Sequence, residues 1–118
     1  NYSMSRDPYL RLEDILEAGE TIEEYLKGYD FSEFQKDRRT VDAVTRNLEI
    51  LGETTKHIPQ DWKEKAPHIQ WRAIAGFRDI LAHSYFRTED AILWDTASNH
   101  IPALLEVVRE LLGSRDSP

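Results

Sequence analysis

Apolar residues recur along this chain at steps of three and four, and no segment shows the period-two alternation of a strand. The clearest case is Val41, Val44, Leu48, Leu51, Thr55 and Ile58, a stripe ended by Pro59. Such spacing places every side chain on one face of an α-helix. Leu12, Ile15, Leu16, Ile22 and Leu26 form a second stripe, with Gly28 as its stop signal. Trp71 to about His83 reads as a third helix with Ile74, Phe77 and Leu81 inward. A fourth runs to about Leu112 through Ile92, Ala97, Ile101, Leu104, Leu105, Val108 and Leu111.

The joints are also readable. Thr40 looks like the start of the Val41 helix, and Thr88, followed by Glu89 and Asp90, like the N-cap of the last. Ser32 with Gln35 resembles a capping box, which predicts a short helix within 30–37. One helical turn is expected around Trp62. Pro102 should kink the last helix because it removes a backbone donor, and Gly113 should stop it. The expected fold is all-α: an up-down bundle of four main helices plus a short one. With 118 residues and no internal linker or repeat, one domain over 1–118 is expected, residues 1–6 and 114–118 being frayed ends. Met4 reads as a natural start.

Composition narrows the chemistry. There is no cysteine, which excludes disulfides, thiolate metal sites and cysteine nucleophiles. No apolar run approaches the roughly 18 residues of a membrane span, and the first residues carry no secretory signal, so a cytoplasmic protein is expected. His57, His68, His83 and His100 include no pair at zinc-helix spacing. No phosphate-cradling glycine loop or nucleophile elbow occurs. Neither a metal nor a cofactor is expected.

The net charge is −7, which disfavours non-specific nucleic-acid binding. It is unevenly spread. Glu13, Asp14, Glu17, Glu20, Glu23 and Glu24 crowd the first helix without a basic residue among them. Between Trp71 and Thr88, Arg72, Arg78 and Arg87 face only Asp79, a local balance of +2. An anion would meet the protein there. The same stretch holds Arg78-Asp79-Ile80-Leu81-Ala82-His83-Ser84-Tyr85, with a guanidinium, carboxylate, imidazole, hydroxyl and phenol in eight residues.

This R-x-x-x-x-H-x-Y motif near the end of the third long helix resembles the HEPN superfamily, specifically the HepT-like toxins encoded beside a minimal nucleotidyltransferase antitoxin. Arg46-Asn47-Leu48-Glu49-Ile50-Leu51-Gly52-Glu53, Trp71, the Gly76-to-Leu81 approach, Trp94-Asp95 and Ile101-Pro102 share the resemblance, which spans about Asp7 to Leu112. Such motifs often carry Asn after the arginine; Asp79 departs from this and adds a negative charge beside the phosphate site.

The resemblance implies a metal-independent endoribonuclease toxin whose substrate is an RNA such as tRNA or mRNA. Internal attack of a ribose 2′-hydroxyl on the adjacent phosphate needs a proton carrier and a cation. His83 suits the first role, with an ordinary pKa of about 6.5. Arg78 suits the second, through its permanently charged planar fork. Asp79 and Ser84 would orient the imidazole or the substrate. Arg46, Asn47 and Glu53 would either support the active-site helix through polar contacts or form a plain interhelical network. Tyr85 would accept AMP from the antitoxin, blocking the anion site with a covalent phosphate.

Five residues advance an α-helix by about 500°, so Arg78 and His83 would point about 140° apart. Either the helix ends near His83, or two copies meet so that one cleft collects both residues from each. The resemblance implies the second: a homodimer, with room for a larger hetero-oligomer including the antitoxin. The alternative function is a non-catalytic interaction or nucleotide-binding module partnering the nucleotidyltransferase. Trp62, Trp71, Trp94, Phe77 and Phe86 read as core or dimer-interface packing.

Overall fold

The computed structural model describes residues 7–82 and 86–115, the side chains of 81, 82 and 86–88 excepted. All regular structure among these residues is helical. Helix α1 (Pro8–Leu26) starts on Asp7, whose side chain accepts the Tyr9 amide, and buries Leu12, Ile15, Ala18 and Ile22. It ends just before Gly28, which adopts φ +81°, a left-handed conformation that costs glycine little. Helix α2 (Phe31–Lys36) is short, as expected, but its capping box is Asp30 with Glu33, not Ser32 with Gln35. The two registers differ by two residues, and aspartate caps as well as serine.

Helix α3 (Arg38–Thr55) buries Val41, Val44, Leu48, Leu51 and Thr55, the stripe read from the sequence. Its N-cap is Asp37, not Thr40. The Asp37 carboxylate accepts the Thr40 amide at 3.2 Å, the Thr40 hydroxyl at 2.8 Å and the Tyr29 hydroxyl at 2.5 Å. Three donors converging on the carboxylate hold its pKa below the usual 3.8, the Tyr29 hydroxyl contributing most.

Helix α4 (Gln60–Glu64) is the single turn expected around Trp62. The third expected helix is broken: α5 (Trp71–Ala75) and α6 (Phe77–Ala82) meet at Gly76. Helix α7 (Phe86–Asp95) begins two residues before Thr88, which therefore lies in its first turn and does not cap it. A π-helical turn (Thr96–His100) joins it to α8 (Ile101–Arg115). This is where Pro102 acts. Without a proline N–H the backbone widens, and the Ile101 amide reaches back five residues to the Thr96 carbonyl. Gly113 does not stop α8, which continues to Arg115. There Arg115 pairs with Glu13 at 3.3 Å and lies over the Tyr9 ring, tying the end of α8 to α1.

α1 packs chiefly on α3 and also on α8, and α5, α6 and α7 close against α3. Phe34, Leu12, Ile15, Ile22, Leu48, Leu51, Leu93, Ile101, Leu104 and Leu105 are fully buried in one cluster. Truncating any of these leucines to alanine would cost about 2–5 kcal/mol. Two ties hold α7, one to α2 and one to the start of α3. The Phe34 and Trp94 rings lie 5.3 Å apart, and Arg38 donates to the buried Asp90 at 2.9 Å. Among the described residues no helix is long and apolar enough to cross a membrane.

Candidate active site

The placement of Arg78 begins on α3. Gly52 faces α5 so closely that a Cβ there would stand 2.6 Å from the Ile74 carbonyl oxygen. Only glycine lets the two backbones approach this far. Ile74 and Phe77, 3% and 2% exposed, then pin α5 and α6 into the core. Gly76 between them turns the chain, and its carbonyl accepts the Asp79 and Ile80 amides that open α6. With Phe77 directed inward, Arg78, the next residue, must point outward.

The Arg78 side chain is 67% exposed, and its Nε lies 3.6 Å from Oε2 of Glu49 on α3. Glu53, one turn further along α3, is held below the usual carboxylate pKa. The largest cause is the Lys56 ammonium, donating at 3.0 Å; the Arg78 and His57 charges add to it. Arg78 therefore sits against an acidic ledge formed by Glu49 and Glu53, with exposed Asp79 beside it.

The expected site residues fall into three groups. Arg78, Asp79 and Glu53 share this neighbourhood. Asn47 lies elsewhere: its amide donates to the Ala43 carbonyl, and it lines a groove towards α1 with Asp14, Thr21 and Thr54. Arg46 is exposed on α3. His83, Ser84 and Tyr85 lie outside the described residues. Glu49 was not singled out from the sequence. Its signal was available: it stands one turn before Glu53 and three residues before Gly52, on the α3 face that receives α5 and α6. Among the described residues no three His, Asp or Glu side chains gather closely enough to hold a metal ion.

Chemically, an exposed guanidinium against a half-open carboxylate can exchange that partner for a phosphate. Its fork binds two oxygens of either anion. The surface ion pair itself is weak, under about 1 kcal/mol, so the exchange is not blocked.

The family model described as "Ribonuclease HepT-like" matches residues 15–111, from the middle of α1 to near the end of α8. The chain belongs to the HepT-like family. A Thermococcus cleftensis protein named "Probable ribonuclease HepT" is 47% identical to this HepT-like chain over 93 residues, covering 79% of it and 84% of the relative. Two further relatives have names beginning "Putative RNase". One, from Caldanaerobacter subterraneus, is 42% identical over 89% of this chain and 92% of its own length. The other, from Methanocaldococcus jannaschii, is 38% identical over 86% and 84%. No solved structure gives a significant match. The HepT-like match includes the whole of Arg78 to Tyr85, so the exposed arginine of α6 and the motif it opens lie inside the family's own span.

Proposed function

We propose that this HepT-like chain is an endoribonuclease toxin acting without a metal ion, as a homodimer whose cleft collects Arg78 and His83 from both copies. The observation that carries the reading is the outward projection of Arg78 from α6 within a family match that runs through Tyr85. In the reaction a ribose 2′-oxygen forms a bond to the adjacent phosphorus, and the bond to the 5′-oxygen breaks. The products are a 2′,3′-cyclic phosphate and a 5′-hydroxyl end. One imidazole takes the 2′-hydroxyl proton and the other supplies the proton to the leaving oxygen. Arg78 binds the non-bridging oxygens as their charge grows. Asp79 and Ser84 orient these groups.

Pairing of copies would place a second guanidinium in the cleft, raising the local positive charge although the chain's net charge is −7. Ile80, 38% exposed two residues beyond Arg78, gives α6 an apolar element suited to such a contact. The partner is a minimal nucleotidyltransferase antitoxin. It transfers AMP from ATP to Tyr85: the phenol oxygen bonds to the α-phosphorus and pyrophosphate departs. The new phosphate then occupies the anion site beside Arg78.

Expression without the antitoxin tests this reading. The parent chain should arrest growth, while Arg78→Ala and His83→Ala should not. Arrest by both variants equal to the parent's removes the catalytic assignment. Intact-mass measurement after incubation with the partner and ATP should show added AMP, absent in Tyr85→Phe.

A further inference from the structure

Arg72 belongs to the basic stretch but is not used by the chemistry above. It lines a groove of about 430 Å³ in the corner between α4 and α5, with Lys63, Glu64, Trp71 and Gln60. Among the described residues neither Lys63 nor Arg72 has an ion-pair partner, so the groove presents two cations against one carboxylate. Their surroundings differ from those of a mobile surface lysine. Lys63 is half-buried, and burial pushes its pKa below the ordinary lysine value, so its ammonium is short of water. The Trp71 indole N–H is anchored to the Ala66 carbonyl at 3.0 Å, which makes the ring a fixed wall. Arg72 precedes Arg78 by six residues on the α5–α6 stretch. Gly76 joins α5 directly to α6, so the groove and Arg78 lie on adjoining helices of one stretch of chain.

We propose that this groove is an RNA-strand subsite: Lys63 and Arg72 hold a backbone phosphate flanking the scissile one, against the wall formed by Trp71. The inference rests on the ribonuclease reading and adds to it the path of the strand, which leaves Arg78 along α5 towards α4. Phosphate contacts of this kind set affinity and register, not base identity.

The test is fluorescence anisotropy of a labelled, single-stranded 2′-O-methyl RNA, which lacks the attacking hydroxyl and stays intact. Binding is measured across a salt series. Lys63→Gln with Arg72→Gln should weaken binding about tenfold at moderate salt and flatten the log–log salt slope by about 0.7 per lost phosphate contact. Arg72→Gln alone, at an exposed side chain, should give part of the loss. The control is Lys27→Gln with Lys36→Gln, the same change in net charge at exposed sites elsewhere. No binding by the parent, an unchanged slope in the double variant, or an equal loss in the control overturns the proposal. Failure of the nuclease reading shows separately, as unmodified RNA left uncut by the parent while the Lys63 and Arg72 effect on binding persists.

Discussion

Gly52 on α3 and Ile74 on α5 are in backbone contact: the Ile74 carbonyl oxygen lies 2.6 Å from where a Gly52 side chain would begin. This approach sets the height of α5 above α3, and through Gly76 the position of Arg78. A methyl group at position 52 meets backbone, which cannot swing aside. Gly52→Ala should therefore destabilise the fold by about 1–3 kcal/mol, the usual cost of overpacking a core contact. Thermal unfolding checks this: a midpoint equal to the parent's would show that α5 does not rest on Gly52 as described.

Glu49 lies 3.6 Å from the Arg78 guanidinium, where the proposed function would place a phosphate. Glu49→Gln should leave stability within about 1 kcal/mol of the parent, because the pair is exposed. It should also lower KM for RNA several-fold, since the phosphate no longer displaces a carboxylate. Steady-state cleavage kinetics give the answer; a raised KM would make Glu49 a positioning residue for Arg78 instead of its competitor.

Arg38 and Asp90 join the start of α3 to α7. Asp90 is 8% exposed at its side chain and Arg38 is 52% exposed, so the pair is neither fully buried nor freely solvated. Arg38→Ala strands the buried carboxylate and should cost about 1–3 kcal/mol, below the full penalty for a buried pair because solvent reaches the vacated position. Denaturant unfolding measures it. Asp90→Asn with Arg38→Ala should recover part of the loss, since no charge is then left buried.

Asp37 gives the fold an acid-sensitive point. Its folded pKa lies below its ordinary value of 3.8, chiefly through the Tyr29 hydroxyl. A depressed carboxylate stabilises the folded state above the unfolded pKa, and this contribution disappears as pH falls through the folded pKa. Tyr29→Phe should therefore lower the unfolding midpoint at pH 7, and the gap to the parent should narrow below about pH 4. A gap that stays constant down to pH 2 would mean that Tyr29 acts through packing alone.

The helices were legible because burial imposes its period on the sequence: the stripe from Val41 to Thr55 is the buried face of α3, and Leu12, Ile15 and Ile22 are that of α1. Helix ends were less legible, because several nearby residues can cap equally well. Asp37 displaced Thr40, and Asp30 with Glu33 displaced Ser32 with Gln35. The break at Gly76 and the passage through Gly113 depend on tertiary partners. Ile74 must meet Gly52, and Arg115 reaches back to Glu13. In the candidate site the sequence pointed to Arg78 and Glu53 but passed over Glu49. An ion pair between residues 29 positions apart leaves no local pattern. Arg38 with Asp90 is hidden for the same reason.

Cleavage of RNA in EDTA by the purified protein, followed by mapping of the new ends, tests the central claim most directly. The account predicts cleavage without added metal, cyclic phosphate and 5′-hydroxyl termini, and loss of at least 100-fold in rate for Arg78→Ala and for His83→Ala. RNA left intact by the parent, or cut equally fast by both variants, would contradict it and leave the chain a helical interaction module.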